Sequence, residues 1–258
     1  MVNIFQELWR KRDLIFDFAI SDLKIRYRNS VLGFFWTFLE PLLMLSVLYI
    51  VFTNIFKSNI ENFPLYILLG LILWNMLTRG TEIGLNSIAS RGSLLTQIYF
   101  RREIPSISST ITSSLMLVFE FIVFGIFVVA FQFNPPPTII FLPLVLLLEF
   151  ALIFGLSLPL SVLNIRYKDI QFIWKVVLQA GFFLTPIFYK TEILPVSVQK
   201  IIYYSPMVQI VNMAHEVTLE NKIPSLESIE IAVITTFIIL GMGYAIFRKF
   251  ERRLIEEL

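Results

Sequence analysis

Three glutamates, Glu40, Glu120 and Glu149, stand inside stretches of otherwise apolar sequence. A charged group at the centre of a bilayer costs at least about 2.5–3.5 kcal/mol on insertion scales, so carboxylates placed there call for an explanation. They can line a wet path, meet a partner at a subunit interface, relay protons in an ion-coupled carrier, or stay protonated against backbone groups. Arg79 and Glu82, three residues apart near a helix end, are expected to pair with each other and snorkel. Aromatic side chains are the other large resource. Phe34, Phe35, Trp36 and Phe38 crowd the start of the first apolar run, and Phe119, Phe121, Phe124 and Phe127 recur along the third. Most suit lipid-facing and interfacial positions. Any that face a channel would offer sugar C–H groups a surface without fixed hydrogen bonds. Catalytic patterns are missing: the chain has no G-x-x-x-x-G-K-[ST] phosphate loop, no G-x-S-x-G elbow and no H-E-x-x-H pair. The single histidine, His215, has no other His or Cys near it and reads as a surface residue rather than a metal ligand or base.

The elements that carry these residues follow from composition. Of 258 residues, 57% are apolar and 16% charged, too little polar surface to wrap one core in water. The expected class is an all-α integral membrane protein. A formal charge of +2 makes the chain as a whole no nucleic-acid binder, and the lack of cysteine excludes a disulfide scaffold or a thiolate metal site. A crossing helix needs about 20 apolar residues. Six runs qualify, giving a transmembrane domain over 34–250 with spans at 34–56, 64–85, 107–133, 138–163, 171–189 and 228–250. Asn134 and the three prolines after it force a tight turn between the third and fourth. An even count puts both termini on one side. Fifteen of the 21 basic residues fall on that side, so the expected topology is N-in, C-in. Residues 1–33 lack a continuous apolar segment, which leaves the first span as the insertion signal. No convincing similarity links the first three spans to the last three, which weakens an inverted-repeat carrier.

Three non-spanning segments carry their own patterns. Within 1–33, Phe5, Trp9, Phe16, Ile20, Leu23 and Tyr27 form an apolar stripe opposite Gln6, Arg10, Asp13, Asp17, Ser21, Lys24 and Arg28, as in a helix lying in the membrane interface or against a partner. In 93–103, Ser93 is placed to cap a short helix whose ridge of Leu94, Leu95, Ile98 and Tyr99, followed by Arg101, Arg102 and Glu103, suits a docking element or a contact with the membrane surface. The long connection after the fifth span is too apolar for a solvent loop. Pro195 and Pro206 cut it into pieces too short to cross, so 190–213 is expected to form short re-entrant helices. Residues 251–258 are left as a cytoplasmic tail.

Several strings together resemble the type-2 ABC exporter permeases. YRNSVLGFFWTFLEP at 27–41 is similar to the start of that family's first span, RYKDI at 166–170 to the stretch after its fourth, and SPMVQIVN at 205–212 to its Asn-Pro-Met segment, with Ser205 in place of the usual Asn. The resemblance is closest to the permeases of O-antigen polysaccharide. It implies a multi-pass protein of the cell inner (plasma) membrane, two copies working with two separate ABC ATPase subunits, that exports polyprenyl-pyrophosphate-linked polysaccharide. The chain itself is then no enzyme and needs no cofactor; ATP and Mg are bound by the partner ATPase. The same resemblance makes 93–103 the coupling helix that sits in the ATPase. It makes 190–213, together with Tyr189, the outer gate, presenting Pro195, Tyr203, Tyr204, Pro206, Met207 and Met213. Packing argues for the second copy independently, since six helices about 10 Å wide fill their own bundle and leave no polymer-wide hole. Phe34, Phe35, Trp36, Phe38, Glu40, Phe119, Glu120 and Glu149 are then substrate-path candidates. Lys24, Arg26 and Arg28, just before the first span, are pyrophosphate-headgroup candidates, or ordinary positive-inside signals. Alternatives are an ABC permease for teichoic acid, capsule, drug or lipid, an ion-coupled secondary carrier using Glu40, Glu120 and Glu149, and a nontransporting membrane scaffold.

Overall fold

The computed structural model describes residues 10–54, 60–92 and 101–251. Within them the chain forms nine α-helices and no strand: α1 Arg12–Arg26, α2 Trp36–Asn54, α3 Phe63–Asn86, α4 Ile104–Ala130, α5 Leu142–Arg166, α6 Ile170–Leu184, α7 Val196–Ile202, α8 Pro206–Thr218 and α9 Leu226–Glu251. Prolines mark the starts. Pro64, Pro105, Pro143 and Pro206 sit in the first turns of α3, α4, α5 and α8, where the missing N–H would be unpaired anyway. Two others, Pro41 and Pro159, lie inside α2 and α5.

Five segments are long and apolar enough to cross a membrane: Gly33–Thr53, Phe63–Asn86, Ile104–Ala130, Pro137–Arg166 and Leu226–Glu251. The fifth expected span, 171–189, is shorter than its sequence suggested. Helix α6 has 15 residues, a rise of about 22 Å against a hydrocarbon core of roughly 30 Å. Its stop is local: Thr185 precedes Pro186 and adopts an extended conformation, as a residue before proline prefers. Residues 185–189 then continue along α3 as buried irregular chain, with Tyr66 Oη donating to the Tyr189 carbonyl at 3.1 Å.

Helix α3 is the centre of the bundle. Of its apolar window 83% is buried, whereas no other long helix exceeds 39%. Most of its contacts are with α4 and α5, and small residues let the backbones come close. A Cβ at Gly84 would stand 2.3 Å from Ser157 Oγ and 3.1 Å from Ser109 Oγ, so α3 can meet α5 and α4 here only with glycine. The α5–α9 pair is closed in the same way: a Cβ on Gly243 would be 2.1 Å from the Gly155 carbonyl oxygen.

Helix α1 docks on α4 through a face other than the expected stripe. Ile15 and Ala19 are buried, and Thr112 Oγ1 on α4 lies 3.4 Å from the Ala19 carbonyl that accepts its hydrogen bond. Phe16 and Ile20 instead remain about half exposed. The stripe therefore leaves an apolar strip on the outside of the protein, while the neighbouring residues make the protein contact. Phe5, Trp9 and Gln6 of that pattern lie outside the described residues.

The packing at Gly84 makes a direct test. Gly84→Ala is expected to lower the thermal midpoint of the purified protein by the equivalent of about 1–3 kcal/mol of overpacking. Adding Ser157→Gly should restore part of it. An unchanged midpoint in the single variant would contradict the close approach.

Candidate functional site: a groove beside the central helix

A groove of about 650 Å³ opens between α2, α3 and α6. One wall is α2, with Trp36, Glu40, Leu43, Met44 and Val47; α3 contributes Leu71, Trp74, Asn75 and Thr78, and α6 contributes Phe182. Helix α6 is set against α3 by Trp174 Nε1, which donates to Thr81 Oγ1 at 3.0 Å. The start of α2 is tied back to the end of α1 by the Tyr27 and Thr37 hydroxyls, 2.7 Å apart.

The expected path residues divide among three settings. Trp36 and Glu40 face the groove, and Phe35 is exposed beside them. Phe34, Phe38 and Phe119 pack on one another, with edge-on ring contacts of 4.6 Å between Phe34 and Phe119 and 5.9 Å between Phe34 and Phe38. They join α2 to α4 and are part of the protein's own packing. Glu120 and Glu149 are fully buried, away from the groove surface.

Arg79 does not pair with Glu82. Its guanidinium bonds to Glu120 on α4 in an ion pair with 4% and 0% of the two side chains exposed. A buried arginine needs a carboxylate in the same dry surroundings, and Glu82 lies on the open side of α3. Asn75 Nδ2 adds a weak contact to Glu120 at 3.5 Å. Glu149 lies within electrostatic range of Glu120, and neither of its carboxyl oxygens has a hydrogen-bond partner among the described residues.

At the α1 end of the bundle a second cleft, of about 330 Å³, is lined by Asp22, Ile25 and Arg26 of α1, Glu82, Ile83 and Asn86 of α3, and Ser90 and Arg91 after it. Arg91 pairs with Asp22 at 2.5 Å and stacks over the Phe18 ring, 4.6 Å from its centroid. Of the three headgroup candidates, Arg26 borders this cleft, while Lys24 and Arg28 are exposed outside it. Leu94, Leu95, Ile98 and Tyr99 lie outside the described residues. Arg101, Arg102 and Glu103, expected in the same helix, instead form a turn into α4, which restarts at Ile104 with Pro105 in its first turn. Arg101 contacts Glu103 at 3.7 Å, and Arg102 donates to the backbone carbonyl of Glu251 at the end of α9.

At the opposite end, Pro195 precedes α7 and Pro206 opens α8, which runs on to Thr218, beyond the expected limit at 213. Tyr189, Met207 and Met213 are buried, whereas Tyr204 is exposed and its ring lies 5.7 Å from that of the half-buried Tyr203. His215 is not a surface residue. It is 2% exposed, stacks on Tyr66 with centroids 3.6 Å apart, and bonds through Nε2 to the Tyr66 carbonyl at 2.9 Å. The imidazole thus satisfies a backbone group of α3 and holds α8 onto it. A third cleft, of about 350 Å³, includes Glu61, Tyr66, Lys190, Glu220 and Lys222. Lys222 and Lys190 reach Glu220 at 2.7 and 3.1 Å. Burial acts to raise the Glu220 carboxyl, but the two ammoniums outweigh it and hold the group below the usual carboxylate range. Burial with the nearby Glu220 charge raises Glu216. Sequence reading missed Asn75, Thr78 and Asn86, although their spacing with Glu82 repeats at three and four residues.

Two outcomes follow. Either Arg79→Met or Glu120→Leu alone should destabilise the protein by about 3–5 kcal/mol, and the double variant by much less, because it leaves no unpaired buried charge; equal losses in all three would refute the pairing. Glu220 has a depressed native pKa, so its contribution is present above about pH 4.3 and is lost as pH falls through the native value. Glu220→Gln should therefore reduce the drop in thermal midpoint on acidification, and an undiminished drop would exclude the ammonium contacts.

The model of the ABC-2 type transporter family matches residues 18–219. The chain is 26% identical over 260 residues to the O-antigen export system permease protein RfbA of Myxococcus xanthus, covering 100% of both chains. It is 27% identical to the protein of the same name from Klebsiella pneumoniae, over 95% of this chain and 94% of that one. A third relative is the polysialic acid transport protein KpsM of Escherichia coli, 20% identical over 92% and 93% of the two chains. Together with five long apolar helices, these matches make the protein a multi-pass membrane protein, and the chain belongs to the ABC-2 type transporter family.

Proposed function

We propose that the chain is the permease subunit of an ATP-driven exporter that moves lipid-linked, O-antigen-like polysaccharide across the inner membrane. The observation that carries the reading is the groove between α2, α3 and α6, in a chain whose full-length relatives are named for O-antigen export. The exposed faces of α2 and α6 flank that groove, with Leu43, Val47, Phe172, Val176 and Phe183 each roughly half or more exposed. Two such copies facing each other would close the groove into a channel, and a homodimer is the arrangement we propose. With α6 and the buried segment 185–189 that continues it counted as the remaining crossing, the chain has six spans and both termini in the cytoplasm. The 330 Å³ cleft then opens on the cytoplasmic side and the Lys190–Glu220–Lys222 group lies outside.

ATP hydrolysis belongs to two separate partner subunits, which bind ATP and Mg and dock on the segment around Leu94, Leu95, Ile98 and Tyr99. Lys24, Arg26 and Arg28 suit the capture of a diphosphate headgroup, since guanidiniums engage phosphate oxygens in pairs. Tyr203 and Tyr204 border the outer gate. An ion-coupled carrier is less well supported, because Arg79 already holds Glu120 in a buried ion pair that a proton relay would have to break.

The test is reconstitution with the ATPase subunit in vesicles that contain the lipid-linked glycan. Export should require ATP and both proteins, and the purified chain alone should show no ATP turnover above background. Arg26→Gln with Arg28→Gln should reduce export several-fold without lowering the yield of the complex. Flux driven by a pH gradient without the ATPase would overturn the reading.

A further inference from the structure

Beyond Pro64, α3 is buried at every position except Asn75, Thr78, Glu82, Ile83 and Asn86. Four of these five are polar, and they follow one another at steps of three, four and four, which places them along one face of the helix. From Asn75 to Asn86 the face rises about 16 Å, roughly half the thickness of the hydrocarbon core. The two ends of the face open into two different cavities. Asn75 and Thr78 line the 650 Å³ groove, whereas Glu82 and Asn86 line the 330 Å³ cleft beneath α1. One helix face is thus a common wall to both.

The structure gives these side chains no sufficient internal role. Thr78 Oγ1 is enclosed yet has no hydrogen-bond partner among the described residues. Asn75 makes one long contact, to Glu120 at 3.5 Å. Asn86 accepts from Asn164 at 3.3 Å and donates to the Glu82 carbonyl at 3.2 Å, which leaves bonding capacity over. Polar groups turned toward lipid would be costly, so this half-open face needs water or a polar ligand.

We infer that the Asn75–Thr78–Glu82–Asn86 face of α3 is a hydrated track along which the hydroxyl groups of the exported glycan pass from the cytoplasmic cleft into the groove. The inference rests on the polysaccharide-export reading and adds to it the residues that touch the sugar. The chemistry suits a polyhydroxylated chain. Two amides offer donors and acceptors, and a carboxylate accepts. Polar groups about one helical turn apart allow one contact to form as another breaks, and a single carboxylate imposes no strong net charge. Trp36 of the groove, 41% exposed, supplies a flat face for sugar C–H groups. A polyprenyl tail has no use for such a face and would stay with the exposed apolar sides of α2 and α6.

The natural absence of cysteine provides the test. Single replacements Asn75→Cys, Thr78→Cys, Glu82→Cys and Asn86→Cys are made in the full permease–ATPase complex, with Ile122→Cys and Ile126→Cys on the exposed apolar side of α4 as controls. A membrane-impermeant sulfonated thiosulfonate is the probe. Because it needs a hydrated thiolate, the track positions should react roughly tenfold or more faster than the controls. Membranes loaded with the lipid-linked glycan should slow labelling at Asn75→Cys and Thr78→Cys. Thr78→Val combined with Asn75→Leu should cut export several-fold at unchanged complex yield, and Thr78→Ser should retain export. Control-like labelling at positions 75 and 78 would overturn the track. Fast labelling that the glycan does not slow would overturn the sugar contact. If the unmodified complex exports no glycan, the polysaccharide reading fails, while labelling in unloaded membranes still decides whether the face is wet.

Discussion

An arginine enclosed in a membrane protein must keep a carboxylate beside it, and that requirement fixes how α3 and α4 meet. Arg79 and Glu120 are both almost fully buried, so a displacement of one helix along the other would leave two charges without compensation in a medium that cannot screen them. The small residues reinforce the same register. Gly84 stands opposite Ser109 and Ser157, where there is no room even for a methyl group. Helix α3 is therefore fixed electrostatically on one side and sterically on others, and the groove, the α1-end cleft and the docking of α8 through His215 all use it as their reference.

Around this rigid centre the outer helices are incompletely covered. Much of α2 and α6 is exposed, and α6 makes few contacts within the chain. Its shortness comes from one dipeptide, Thr185-Pro186, after which the chain turns inward and packs Ile187, Phe188 and Tyr189 against the core. The architecture thus combines a central helix that cannot shift with flanking surfaces that need covering by lipid or protein.

Much of this was readable from the residues. Apolar runs and prolines located the five long helices, because length and hydropathy decide whether a segment crosses a membrane and neither depends on its neighbours. The amphipathic character of α1 was likewise visible, but not which side of it meets protein: Ile15 and Ala19 face α4 because of how that helix lies, which periodicity alone does not encode. Arg79 had a nearer carboxylate in sequence, Glu82, and took one 41 positions away because Glu120, unlike Glu82, shares its enclosure. The lone histidine misled for a related reason. Its burial comes from stacking on Tyr66, a partner 149 residues distant. The polar residues of α3 were legible as spacing, yet their significance depends on the exposure of that one face, a property of the assembled bundle.

The contact between Arg102 and the last turn of α9 has a mechanical consequence. Arg102 lies in the turn just before α4, and its guanidinium grips the backbone of Glu251, so a displacement of that turn is handed directly to the end of the final helix. Helix α9 cannot absorb it by sliding, because Gly243 rests against the Gly155 carbonyl of α5 with no slack between them. Helix α9 is thus clamped at two points, so the turn before α4, the last turn of α9 and the middle of α5 are tied to one another through it.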